Sequence, residues 1–246
     1  MPATSQSIFT FPDDQALSAA AARDWLTLLQ KSSGLHTVAL SGGRIAKTFF
    51  VAITELAKSS GANLTNVHFF WADERCVGPS DPESNFRLAW ENLLGPLGIA
   101  QNQIHRLKGE IPPSVAVTEA SQDIRRVVPL DRTGVPILDV IFLGLGEDGH
   151  VASLMPNAAP AVLESREPYV HVSDSPKPPP DRLSMTYSVL MAAANVWALV
   201  AGIGKEEALR NSLKPGGTTP FARVLSSRPQ TRIYTDLNEM ASVRSK

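Results

Sequence analysis

Short apolar runs alternate with helix-forming stretches along most of this 246-residue chain, and that alternation constrains its fold more than any other feature. A strand over Ser7–Phe11 leads into a helix from Asp14, with Leu17, Ala20, Ala21 and Leu28 near one face. His36–Leu40 (HTVAL) runs into SGGR and then into the helical pattern IAKTFFVAITELAKSS, closed by Gly61. Val67–Ala72 (VHFFWA) reads as a second buried strand. An acidic, turn-rich loop follows it, and then a helix over Ser84–Leu94. Ile104–Leu107 reads as a short strand, Val115–Val127 as a helix, and Ile137–Gly144 (ILDVIFLG) as the strongest strand of all. Asn195–Gly202 (NVWALVAG) precedes the helix KEEALRNSL, and TRIYTD is the last strand. Strands separated by helices at this spacing form a parallel sheet covered on both faces. The proline-rich Ser175–Pro180 lies between segments of the same character, so it reads as a loop inside one domain rather than a linker.

A hydrophobic share of 43% supplies a sizeable core for such a sheet. Lys plus Arg number 23 against 24 Asp plus Glu. A net charge of −1 provides no global field to gather nucleic acid or anionic lipid, so an anionic ligand must be held by a local cluster. Cys76 is the only cysteine, which excludes an internal disulfide and makes the cytoplasm the default compartment. The opening MPATSQSIFTFPDDQ has no basic-then-apolar leader pattern, and no run approaches the ~18 apolar residues of a membrane span.

Open parallel sheets bind ligands beyond the carboxyl ends of their strands, and four such places carry polar or glycine-rich sequence. Ser41, Gly42, Gly43 and Arg44 can turn a helix N-terminus and its free N–H groups toward an anion such as phosphate; a plain tight turn needs the same residues. Asp73-Glu74-Arg75 sets an arginine between two carboxylates, which suits orientation of a substrate or stabilisation of an oxyanion, and equally a surface ion network. Cys76 follows without an obvious base and reads as a small semi-buried residue. In Gly144–His150 (GLGEDGH), three glycines bracket two acids and a histidine, a backbone suited to presenting an imidazole at the sheet edge, with Asp148 as a fixing group. Arg182 and Lys205 form a basic pair, and Lys205 opposes the dipole of the helix it opens unless an anion lies there.

SGGR, WADERCV with its SNF, GLGEDGHVASLMP, RLSMTY and VAGIGKEEAL, in this order, resemble the 6-phosphogluconolactonase family, which is related to the glucosamine-6-phosphate isomerase/deaminase family. The resemblance implies one Rossmann-like three-layer domain over residues 1–246, with a mainly parallel sheet flanked by helices. It implies a phosphosugar lactone as the small-molecule partner, and neither a metal nor an organic cofactor. It casts His150 as general base and Arg75 as the group assisting at the lactone, with Asp73 and Asp148 holding Arg75 or the imidazole in place. Phosphate falls to the SGG turn, Arg182 and Lys205. One departure stands out: the family usually reads SGGSTP where this chain reads SGGRIA, which leaves Arg44 either on the phosphate or in solvent.

The nearest rival is the amino-sugar-phosphate isomerase/deaminase. Its family resembles HIAFNEP after the histidine, which puts Met155, with no exchangeable proton, where that family has a ring-opening Glu. That family also tends to DEY where this chain has Asp73-Glu74-Arg75. A non-catalytic sugar-phosphate sensor would need an output module, and the α/β pattern already occupies the chain. A serine-triad hydrolase lacks its G-x-S-x-G elbow.

Overall fold

The computed structural model describes residues 5–32, 34–227 and 230–237, and the first four residues of the N-terminal stretch lie outside them. In chain order the strands and helices are β1 (Ser5–Thr10), α1 (Asp14–Gln30), β2 (His36–Leu40), α2 (Arg44–Ser60), β3 (Val67–Trp71), β4 (Asp73–Arg75), α3 (Asn85–Ala89), α4 (Pro113–Val127), β5 (Val140–Gly144), α5 (Pro160–Leu163), β6 (Tyr169–Val172), β7 (Arg182–Met185), α6 (Tyr187–Ala192), β8 (Asn195–Val200), α7 (Glu206–Leu213), α8 (Pro220–Ser226) and β9 (Gln230–Thr235). Six strands form the main sheet in the order β1-β9-β8-β5-β2-β3, with every neighbouring pair parallel.

The sheet is flanked by helices, as the alternation predicts, and its inner strands β2, β5 and β8 are almost wholly buried because both faces are covered there, whereas β9 keeps Gln230 and Arg232 exposed. All five residues of β2 are buried. Phe142 on β5 shows how the layers interlock. Its ring lies 5.8 Å from Trp25 on α1, 4.7 Å from Phe49 on α2 and 5.7 Å from Trp197 on β8. Burying one such ring contributes about 1.5–3 kcal/mol. The helices start and stop where the sequence says they should. Asp13 caps α1 by accepting from Ala16 N at 2.7 Å, and Gly61 ends α2 in the left-handed region at φ 64°.

Three expectations change. The loop after VHFFWA begins with a strand: β4 joins β7 and β6 in a small antiparallel sheet. Ser84–Leu94 is a helix of two kinds, with α3 giving way to a π-helical turn over Trp90–Leu94. Ile104–Leu107 is no strand, because it meets the edge strand β3 at the single bridge Phe69–Ile104 before the chain turns away. The Ser175–Pro180 stretch joins β6 to β7, so it is a connection within one sheet, as the sequence reading held.

Ala72 connects the two sheets. Its N–H donates to Leu40 O at 2.7 Å and its carbonyl accepts from Met185 N at 2.7 Å. The small sheet is thereby fixed against the carboxyl ends of β2 and β3. Behind β3, α4 is held by a relay: Asp123 Oδ2 lies 2.6 Å from His105 Nδ1, and His105 Nε2 lies 2.8 Å from His68 Nδ1. The hydrogen bond with His105, helped by Arg126, draws the Asp123 carboxyl down to about 2 against the opposing effect of burial. Between about pH 4 and pH 2 the unfolded chain therefore binds the proton that the folded one refuses. The stability Asp123 contributes is present above that window and lost as pH falls through it. Urea denaturation should show the midpoint of Asp123→Asn falling less steeply than that of the parent between pH 4 and pH 2.

Candidate active site

A cavity of about 340 Å³ opens at the carboxyl ends of β2, β3 and β5. Nine of the ten residues singled out from the sequence line it: Ser41, Gly42, Gly43, Arg44, Asp73, Arg75, His150, Arg182 and Lys205. The tenth, Asp148, sits behind the imidazole it was expected to hold. The SGG turn forms one wall. Ser41 is committed to structure, its Oγ donating to Phe142 O at 2.9 Å and so tying the end of β2 to β5. Gly43, at φ 98°, is the N-cap of the seventeen-residue α2 and offers no side-chain acceptor to the helix N–H groups. Those donors and the positive end of the dipole remain for an anion.

The small sheet forms the opposite wall. Alternation along β4 sends Asp73 and Arg75 to one side and Glu74 to the other. Asp73, 5% exposed, accepts from Ser153 Oγ at 2.8 Å, and its backbone carbonyl accepts from Asn85 Nδ2 at 2.9 Å. Asn85 in turn explains Gly42, because a Cβ there would stand 1.8 Å from Asn85 Oδ1. Glu74 takes no part in an ion network with Arg75. Its carboxylate accepts from the N–H groups of Arg75, Asn85 and Phe86 and from Ser84 Oγ, while burial pushes its carboxyl above the ordinary range.

Arg75 and Arg182 stand directly opposite each other in the β4–β7 register, an arrangement that costs energy unless acceptors surround both. Acceptors reach both, while Arg75 Nε is buried without a hydrogen-bond partner. Arg75 Nη1 donates to Glu83 O and lies 3.5 Å from the Glu83 carboxylate. Arg182, 5% exposed, donates from Nε to Pro179 O at 3.2 Å and from Nη2 to Lys177 O at 3.0 Å. Burial first, and the Arg75 charge second, lower the Arg182 pKa from its usual value. Burial and then the Arg44 charge likewise hold Lys205 below the ordinary lysine range, although Glu147 and Asp236 oppose them. Arg44 is exposed and lines the cavity, close enough for its charge to act on Lys205.

His150 faces this cationic surface from the β5 loop. Its Nδ1 lies 2.5 Å from Asp148 Oδ1, and its N–H donates to the same oxygen at 3.1 Å. Burial raises the Asp148 carboxyl, but the His150 charge and hydrogen bonds outweigh it and leave the pKa lowered. An ionised Asp148 accepts the Nδ1 proton and leaves Nε2 with its lone pair. The loop can do this only with glycines. A Cβ at Gly146 would lie 2.0 Å from His150 Nδ1, and Gly149 adopts φ 82°. Cys76, just outside, is no nucleophile: burial pushes its thiol up to about 11. The sequence reading missed Glu83, Glu147 and Lys177 as lining residues; Lys177, alone among prolines between two strands, was the legible signal.

Residues 12–233 match the family model described as glucosamine-6-phosphate isomerases/6-phosphogluconolactonase. The chain belongs to this family. It is 34% identical over 225 residues to 6-phosphogluconolactonase of Mycobacterium tuberculosis, covering 89% of each chain. It is 32% identical over 212 residues to 6-phosphogluconolactonase 3, chloroplastic, of Arabidopsis thaliana, covering 84% of this chain and 65% of that one, so it spans less than two thirds of the plant relative. The crystal structure of devB protein superposes with a TM-score of 0.87 at 30% identity, covering 97% of this chain and 100% of that one. Among the described residues, no helix is long and apolar enough to cross a membrane, and no group of three or more His, Cys, Asp or Glu could hold a metal.

The isomerase/lactonase family signature GEDGH thus depends on Gly146, and the effect can be isolated from glycine loss in general. Gly146→Ala should destabilise the fold by about 1–3 kcal/mol through overpacking against the imidazole. At Gly144 a Cβ would meet nothing within 4 Å, so Gly144→Ala should fall within about 0.5 kcal/mol of the parent in the same urea titration.

Proposed function

We propose that this protein hydrolyses 6-phospho-D-glucono-1,5-lactone to 6-phospho-D-gluconate, the lactone-opening step of the oxidative pentose phosphate pathway. The observation that carries the reading is the imidazole of His150, pinned through Nδ1 to Asp148 and set in the same cavity as Arg44, Arg75, Arg182 and Lys205. The phosphate docks against the N-terminus of α2, Lys205 and Arg182, and this anchoring delivers C1 of the lactone to His150. His150 Nε2 takes a proton from water as the water oxygen bonds to C1. Negative charge gathers on the former carbonyl oxygen, where Arg75 and the glycine-loop N–H groups serve as donors. The C1–ring oxygen bond then breaks and His150 returns the proton to the departing oxygen, leaving an alcohol and a carboxylic acid whose remaining proton passes to solvent to give the carboxylate. Asp73 positions the Arg75 strand rather than touching the substrate, because Ser153 and Asn85 occupy it.

The isomerase/deaminase alternative requires a second proton-exchanging group after the histidine. Met155 is buried, is not among the cavity-lining residues and has no proton to exchange. We further read the chain as one catalytic domain acting in the cytoplasm without a cofactor; one hydrophobic cluster running through both sheets supports the first part.

The direct test is the initial rate at which freshly generated 6-phosphogluconolactone disappears with and without protein, beside unphosphorylated gluconolactone. A phosphate-dependent acceleration is expected, and a rate equal to buffer would sink the hydrolase reading. His150→Ala should lose about 10²–10⁴-fold in kcat while still binding 6-phosphogluconate, as judged by calorimetry. Lys205→Ala should instead raise KM about tenfold or more with a smaller change in kcat, as expected for a charge-assisted contact to the anchored phosphate.

A further inference from the structure

We propose that Lys177 is a further cation of the phosphate end of the site, presented there by a proline-rich loop that Arg182 anchors. The inference rests on the phosphate end of the function proposed above and adds a residue and a device to it. Four of the six residues Ser175–Pro180 are prolines, which fix φ and offer no N–H. Such a loop has only the N–H groups of Ser175 and Lys177 with which to satisfy its own carbonyls. Its ends are closed by Ser175 N donating to Pro180 O at 3.0 Å. The Arg182 guanidinium then reaches the carbonyls of three consecutive residues: Pro179 O at 3.2 Å, Lys177 O at 3.0 Å and Pro178 O at 3.5 Å. The fork is buried, and the backbone of Lys177 is fixed by one of its bonds.

What that fixing presents is an ammonium. Lys177 is exposed, lines the same cavity as His150 and Lys205, and makes no ion pair among the described residues. Its charge reaches Lys205, adding to burial and Arg44 in lowering the Lys205 pKa. Arg44, Lys177 and Lys205 thus converge with no carboxylate bonded to Lys177 or Lys205, an arrangement relieved by a dianion such as phosphate. Stiffening by proline means that little loop entropy remains to be lost when the phosphate arrives.

Isothermal titration of the full chain with inorganic phosphate and with 6-phosphogluconate reads this contact without relying on turnover. Lys177→Ala should weaken both about tenfold, and in kinetics the preference for phosphorylated over unphosphorylated lactone should drop by the same factor. Unchanged dissociation constants would overturn the assignment. A parent protein that binds phosphate in a Lys177-dependent way but accelerates no lactone would support the phosphate site while the hydrolase reading fails. Arg182→Lys, which removes the fork but keeps the charge, separates delivery from direct contact. Its effect on phosphate affinity should be smaller in the Lys177→Ala background than in the parent, and equal effects in both would refute delivery by the loop.

Discussion

Two backbone hydrogen bonds at Ala72 hold the architecture of the site together. One goes to β2 in the large parallel sheet and the other comes from β7 in the small antiparallel one. A parallel sheet alone offers glycine turns and helix N-termini at its carboxyl edge, which suit an anion but supply little directed chemistry. The joint at Ala72 places β4 and β7 over that edge, and with them Asp73, Arg75 and Arg182. Asn85 completes the join from the side, lodged against Gly42 and bonded to the Asp73 carbonyl, so neither wall can shift without the other.

Legibility in the sequence followed burial. The inner strands of the large sheet, β2, β5 and β8, are almost wholly buried and were readable as runs, β2 to the residue. The small sheet was not readable, because its strands answer to other demands. β4 is three charged residues whose side chains serve the cavity and α3, and β6 shows two half-buried residues in four. Their pairing is long-range and leaves no periodic trace in so few residues. The site itself was legible in membership but not in wiring. Glycine spacing pointed to the loops, and residue type pointed to His150, Arg75, Arg182 and Lys205. Asp148 beside the imidazole was expected from GLGEDGH, but that Arg182 spends its donors on proline-loop carbonyls depends on side-chain direction, which no spacing rule specifies.

Electrostatically the site gathers cations among a few carboxylates. Arg75 and Arg182 face each other across β4 and β7, where the Glu83 carboxylate lies beside Arg75 and the donors of Arg182 go to carbonyl oxygens, which carry no net charge. Acceptors of that kind leave the positive field largely intact, whereas carboxylates would cancel it. Burial first, and the neighbouring cations second, hold the Lys205 and Arg182 pKa values down. Substrate selection and proton transfer are thereby assigned to different parts of the cavity, with the one anionic side chain in contact with the imidazole kept on its far side.

The large sheet is bounded at one edge by β1, whose partner is β9, with Ser5 beside Gln230 and Thr10 beside Thr235. β1 therefore has no partner in this sheet until β9, far along the chain, has been made. Until β9 docks, β8 exposes an open edge, and the apolar face of α1, including Trp25, rests on α2 and on β2, β3 and β5. Completion of this edge is consequently a long-range event, in which β1 and β9, widely separated along the chain, close the sheet together.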